Sequence, residues 1–187
     1  MKENEKAIIH TYWESPCGLM DLGSLGDELV MSDWVQGWHR ETTLRRFRRL
    51  TGLPFAEGET PVIAAAREAL EAYFAGRIRT FDLPIRFIGS DFQVRVWKAL
   101  LTIPYGETAT YGEIARAAGS PKAVRGTGTA VGANPFSVIV PCHRVVGASG
   151  SLTGYGGGYA AKRRLLALEM GIDESALPFS SKGCTRE

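Results

Sequence analysis

Ser137-Val138-Ile139-Val140-Pro141-Cys142-His143-Arg144-Val145-Val146 is the stretch on which the reading of this chain turns. Two short runs rich in β-branched residues flank a polar centre, Cys142-His143-Arg144. Each run is apolar enough for a buried strand. Pro141 has no N–H to give to a ladder, so pairing should break there. The pattern predicts a cysteine on a stiff turn between two buried segments. Free cysteine is among the most buried residue types, so Cys142 could simply be packed. A thiol held rigidly beside an imidazole could equally be a nucleophile. On this stretch alone the packed cysteine is the better reading; the surrounding chain reverses that order.

Downstream, a helix is expected from Tyr159 to about Met170, with Gly171 as its stop. Leu165, Leu166 and Ile172 are read as its buried face. Glu169 falls on the same face, and a carboxylate on an apolar stripe needs a partner. Upstream, Ser90 and Gln93 have capping-box spacing and open a helix through Leu101, with Phe92, Val96, Ala99 and Leu100 inward. Two short helices follow, Thr110–Ala118 and Pro121 to about Val131. Gly119 is read as a stop, Ser120 as an N-cap and Pro121 as the first helical residue. The tight connection has the form of a helix-turn-helix.

Further back, Ala7–Trp13 and Leu19–Leu22 read as a hairpin across Ser15-Pro16-Cys17-Gly18, and Glu28–Trp34 as a third strand. The run Trp38–Leu50 holds His39, Arg40, Arg45, Arg46, Arg48 and Arg49. It is read as a solvated face rather than as an auxiliary phosphate contact. Thr60-Pro61 opens a helix with the stripe Ile63, Ala66, Leu70 and Tyr73, ended by Gly76. These elements give an α/β (α+β) chain. A small N-terminal β-sheet domain with a helix is expected over 1–88. A mainly helical C-terminal domain with the helix-turn-helix is expected over 89–172, then a flexible tail over 173–187.

Composition narrows the function classes. Hydrophobic residues make up 44% and charged residues 22% of the 187, ordinary for a globular protein. No apolar run approaches the ~20 residues of a membrane helix, and Met1–Lys6 does not resemble a signal peptide. The three cysteines, Cys17, Cys142 and Cys184, are odd in number and far apart. That argues for a reducing, cytoplasmic compartment and against a disulfide framework. Residues 1–85 hold 10 basic and 13 acidic residues, net −3, and residues 86–187 hold 12 and 7, net +5. A basic second half suits a polyanionic partner.

The chemistry at Cys142 admits several classes. The three cysteines and three histidines lack metal-ligand spacing, so no metal is expected. Gly156-Gly157-Gly158 fits no nucleotide-binding fingerprint, and no cofactor is expected. A cysteine hydrolase could nominally draw on Cys142, His143 and either Glu169 or Asn134. Neighbours on a strand point to opposite sides, however, so a water between thiol and imidazole is more plausible than a direct bond.

Pro141-Cys142-His143-Arg144-Val145 resembles the active-site signature of the O6-alkylguanine-DNA alkyltransferases. The likeness runs from about Phe92 to Glu169. It takes in Trp97, Ile103-Pro104-Tyr105-Gly106-Glu107, Tyr111-Gly112, Pro121-Lys122-Ala123-Val124-Arg125, Asn134-Pro135 and Gly154-Tyr155-Gly156-Gly157-Gly158. Residues 1–85 resemble the family's N-terminal domain only loosely. The resemblance implies a monomer that acts on double-stranded DNA containing alkylated guanine, with O4-alkylthymine as a second candidate lesion. It takes the alkyl group onto Cys142 and is consumed in doing so. It implies that His143 is the base acting through water, that Glu169 orients His143, and that Asn134 braces the turn before the active-site strand. Tyr111 would donate to the flipped base. The carbonyls of Cys142 and Val145 would read its exocyclic amine, with Tyr155 walling the pocket and Gly156 and Gly157 lining it. Arg125 would fill the gap left by the base. Pro121, Lys122, Ala123, Gly126, Thr127 and Ala130 would belong to the DNA-binding surface. Gly126 and Gly132 depart from residues common in the family. Inert relatives lack the cysteine, which this chain keeps. The rival readings are a non-enzymatic sensor of alkylated DNA and the cysteine hydrolase.

Overall fold

A computed structural model describes residues 6–179. Met1–Glu5 and the end of the expected tail, with Cys184, lie outside them. The chain begins with a meander of three strands, β1 (Ile8–Ser15), β2 (Gly18–Leu25) and β3 (Glu28–Trp34). Gly18 and Gly26 take the positive φ that the two tight turns require. Helix α1 (Arg40–Thr51) then carries the chain to β4 (Phe55–Glu57), which pairs parallel to β1. The sheet order is β3-β2-β1-β4. No alternating pattern marks the three-residue β4, and it escapes a reading by periodicity.

Helix α2 (Pro61–Phe74) starts where Thr60 accepts from the Ile63 N–H with Pro61 in the first turn. Its stripe Ile63, Ala66, Leu70 and Tyr73 is fully buried against the sheet. Helix α3 (Asp91–Leu100) opens on the Ser90/Gln93 capping box. It packs against α4 (Tyr111–Ala117) and α5 (Val124–Gly132). The two-residue strands β5 (Ala109–Thr110) and β6 (Val145–Val146) pair in parallel, and α6 (Gly158–Met170) closes the chain's last layer.

Four expectations change. Pro121 does not begin α5: residues 121–123 form a turn with Ala123 N–H on the Ser120 carbonyl, and the helix starts at Val124. Ile172 is 39% exposed, because the chain turns away at Gly171. Part of the expected tail is docked: Glu174–Ala176 forms a 3₁₀ turn, and Leu177 is buried with Val146, Leu152 and Leu166. The arginine run is only partly solvated. Arg45, Arg48 and Arg49 are exposed, but Arg46 is buried with its guanidinium 5.1 Å from the Trp97 ring centre. Burial pulls the Arg46 pKa down to about 10.

The extended connector before Ser90 does not separate two cores. Met20, Leu22, Leu29 and Trp34 of the sheet share one cluster with Trp97, Phe136, Val140 and Leu165. The outer edge of β3 makes the join. Leu29 N–H donates to the Pro84 carbonyl, and Ser32 N–H donates to the Pro135 carbonyl. That edge would otherwise present unpaired groups to solvent. Here it fastens the segment that leads to Cys142.

Candidate active site

The segment before Cys142 is not a strand. Ser137–Val140 is a buried turn, and Val138, a β-branched residue, sits at φ 72°. Such a conformation costs roughly 1–3 kcal/mol and persists only where its surroundings hold it. Asn134 supplies that hold. Its Nδ2 donates to the Phe136 carbonyl at 3.3 Å and the Val140 carbonyl at 2.9 Å, while its Oδ1 accepts from the Phe136 N–H at 3.1 Å. Side-chain bonds to nearby backbone have displaced the ladder that the β-branched composition suggests. Asp33 and Ser32 of β3 add two more ties, through the Ser137 hydroxyl and the Ser137 carbonyl.

Cys142–Arg144 forms a single 3₁₀ turn, so its three side chains fan outward instead of alternating. The Cys142 Sγ accepts from Asn134 Nδ2 at 3.1 Å, and the residue is buried. Burial pushes this thiol up to about 11, against the hydrogen bond from Asn134 and the Lys162 charge, which lower it. The resting group is therefore a thiol, and a nucleophilic role requires a base.

His143 is fully buried, and burial lowers its pKa, against the pull of Glu169. Its Nε2 lies 2.8 Å from Glu169 Oε1. A carboxylate only accepts, so Nε2 carries the proton and Nδ1 holds the lone pair. Nδ1 has no protein partner, and no hydrogen bond joins His143 to Cys142 among the described residues. Glu169 is buried, which alone would raise its pKa. The hydrogen bonds and charges of His143 and Arg144 instead hold it well below the carboxylate range. Arg144 grips it with two donors, Tyr73 Oη donates to Oε1 at 2.5 Å, and the Gly106 N–H donates to Oε2 at 3.2 Å.

Cys142, Asn134 and Ser137 line a cleft of about 1090 Å³, and His143 and Glu169 lie outside its lining. Tyr111, Asn134, Tyr155, Gly156 and Gly157 line it with Cys142, as do Trp34, Trp38 and His39, and the Gly156 and Gly157 backbone packs closely on His39 and Trp34. The Val145 carbonyl accepts from Lys162 Nζ at 2.6 Å, which leaves it one further lone pair for a ligand. On α5, Arg125 and Gly126 are exposed, as are Pro121 and Lys122, while Ala123 is half-buried. Thr127 and Ala130 are not on that surface: both are buried, and the Ala130 carbonyl accepts from Trp97 Nε1 at 2.8 Å. Their small size serves the packing of α5 on α3.

Arg144, Tyr73 and Lys162 were not singled out from the sequence. Tyr73 read as part of an apolar stripe, and nothing local marks its hydroxyl. Lys162 carried a usable signal, since it lies seven residues before Glu169 and shares its helical face.

Fold and cleft define a helix-turn-helix protein with a buried cysteine backed by a histidine–glutamate pair. Residues 91–171 match the family described as 6-O-methylguanine DNA methyltransferase, DNA binding domain. The methylated-DNA–protein-cysteine methyltransferase of Haemophilus influenzae is 38% identical over 95% of this chain and 91% of its own. That of Mycobacterium tuberculosis (strain H37Rv) is 61% identical over 106 residues, 57% of this chain and 64% of the relative, so the match spans just under two thirds of that protein. A crystal structure of M. tuberculosis OGT in complex with DNA superposes with a TM-score of 0.74 at 42% identity, covering 87% of this chain and 93% of that one. The chain belongs to the methylated-DNA–protein-cysteine methyltransferase family.

Proposed function

We propose that the protein repairs DNA by moving an alkyl group from the O6 position of guanine to Cys142, once per molecule. One observation carries the reading: a buried imidazole, with Nε2 tied to Glu169, keeps its Nδ1 lone pair unengaged among the described residues, one residue along the chain from a thiol pinned by Asn134. A water between Nδ1 and Sγ would pass the thiol proton to His143, and Glu169 stabilises the imidazolium that forms. The thiolate attacks the alkyl carbon, an S–C bond forms, and the C–O bond breaks. Guanine leaves with the electron pair and takes up a proton, so the balance is thiol to thioether and alkylguanine to guanine. Tyr111, which lines the same cleft, would donate to that leaving group.

The base must leave the duplex to reach a buried thiol. The exposed end of α5, with Arg125 and Gly126, is the surface offered to DNA, and Arg125 would occupy the space the base vacates. Double-stranded DNA with alkylated guanine is thus the proposed partner, and a reducing intracellular compartment is where such a thiol would survive. The test is an intact-mass measurement after incubation with a duplex containing O6-methylguanine. Wild type should gain one CH₂ per molecule, located on Cys142, and Cys142→Ser should gain nothing while still binding the duplex. DNA binding without any mass gain in wild type would replace this reading with the sensor. Turnover beyond one equivalent, with Cys142 regenerated, would replace it with a hydrolase.

A further inference from the structure

We propose that Thr153 is a positioning residue that makes Tyr111 a one-way hydrogen-bond donor into the cleft. The inference rests on the alkyl-transfer reading, and it concerns a residue for which that reading has no use. Tyr111 Oη and Thr153 Oγ1 lie 2.6 Å apart, and heavy-atom geometry alone leaves either as the donor. Lys162 removes the ambiguity. Lys162 is 1% exposed, and its ammonium lies 3.3 Å from the Thr153 carbonyl and 3.5 Å from Oγ1, while the shortest of these bonds goes to the Val145 carbonyl at 2.6 Å.

An ammonium offers donors only. A hydroxyl beside it turns its oxygen towards the cation and its proton away, and in a dry site this ion–dipole preference is strong. The short-range acceptor left for that proton is Tyr111, 2.6 Å away. Thr153 therefore donates to the Tyr111 oxygen, and the phenolic proton is left to point elsewhere. Tyr111 lines the same cleft as Cys142, so the free direction is towards a bound base. Burial raises the pKa of the phenol, so Tyr111 stays protonated and able to donate. A tyrosine whose lone pair is engaged by a donor gives a stronger hydrogen bond to a base that gains negative charge as it leaves. The same lysine ties the Thr153 segment to β6, so donor direction and cleft width share one anchor.

The test uses the full chain. Single-turnover transfer from an O6-methylguanine duplex is measured for wild type, Thr153→Val, Thr153→Ser, Tyr111→Phe and the Tyr111→Phe/Thr153→Val double variant. Thr153→Val should slow transfer by about tenfold, in line with one lost hydrogen bond. Thr153→Ser should stay within about twofold of wild type, since it keeps the hydroxyl that donates. In the Tyr111→Phe background the valine should add less than about twofold, as expected for two residues acting through one bond. An equal valine penalty in both backgrounds, or none in wild type, would overturn the proposal, as would a wild-type rate in Tyr111→Phe.

A second measurement needs no transfer at all. Tyrosines labelled at Cζ are titrated by NMR in the Cys142→Ser protein, which removes a second titrating group from the cleft, with Tyr111 assigned from its loss in Tyr111→Phe. If Thr153 donates, its replacement by valine raises the Tyr111 pKa. If Tyr111 donates to Thr153, the same change lowers it. An unchanged or lowered value overturns the inference, even if the alkyl-transfer reading itself has failed.

Discussion

Arg144 and Glu169 meet in a buried fork, with Nε 2.8 Å from Oε2 and Nη2 2.9 Å from Oε1. The arginine next to the candidate base thus serves the carboxylate that orients that base. Breaking a buried pair on one side costs about 3–5 kcal/mol, because the remaining charge stays desolvated. Arg144→Met should lose about that much stability at neutral pH. The folded-state carboxyl of Glu169 lies below its ordinary value of 4.5, so its stabilisation is present above that pH and is lost as the pH falls below it. The gap between wild type and Arg144→Met in urea denaturation should therefore narrow from pH 7 to pH 3. A gap independent of pH would mean that the arginine matters for packing alone. Glu169→Gln should lower stability as well as transfer, since it strips Arg144 and His143 together.

The pH profile separates a base-assisted thiol from a lone one. A thiol with a pKa near 11 and no base gains reactivity tenfold per pH unit through the neutral range. With His143 neutral at its lowered pKa, the ion pair it forms with Cys142 does not depend on pH. Transfer to free O6-benzylguanine should then be level between about pH 6.5 and about pH 9. His143→Asn should be slower at pH 7 by about a hundredfold or more and should climb with pH. A level profile in His143→Asn would remove the base role.

Asn134 holds both the strained turn and the thiol. Asn134→Ala leaves the carbonyls of Phe136 and Val140 without this donor and removes the hydrogen bond to Sγ. A stability loss of about 2–4 kcal/mol is expected by chemical denaturation. Iodoacetamide alkylation against pH should place the Cys142 pKa higher than in wild type, because a bond that lowers it has gone. A lower value would show that the turn had opened and exposed the sulfur.

Arg125 is exposed on α5, with no share in the core. As a filler of the vacated stack it should matter most where flipping is hardest. Flipping costs a few kcal/mol, least for a base whose pairing is already weak. Arg125→Ala should slow repair of a stable duplex by about tenfold or more, slow a mismatched lesion less, and spare free O6-benzylguanine. A simple phosphate contact would instead weaken binding to all duplexes and lower the salt slope by about one counterion. Equal losses on duplex and free base would point to a collapsed α5, which its glycines make fragile.

Much of the site was legible because chemistry and helical period coincide in it. Glu169 stood out as a charge on an apolar stripe, and it is the group the structure sets against His143. The capping box at Ser90 and the left-handed stops at Gly119 and Gly171 depend on neighbours a few residues apart, so they can be read locally. The strand Glu28–Trp34 follows from its own composition in the same way.

What only the tertiary structure decided depends on partners far away in the chain. Ser137–Val140 has the composition of a strand, yet Asn134 and the β3 edge take its hydrogen bonds and coil it into a turn. The family resemblance puts Thr127 and Ala130 on the DNA-binding surface, yet both are buried where α5 packs on α3. Tyr73, 96 positions from Glu169, lies at the C-terminal end of the stripe that α2 buries on the sheet, and its hydroxyl reaches Glu169 from there. The amino-acid sequence determined which residues could do the chemistry and which local turns would form. Tertiary packing determined where each buried hydrogen bond found its partner, because a buried polar group takes whichever donor or acceptor the fold brings within reach.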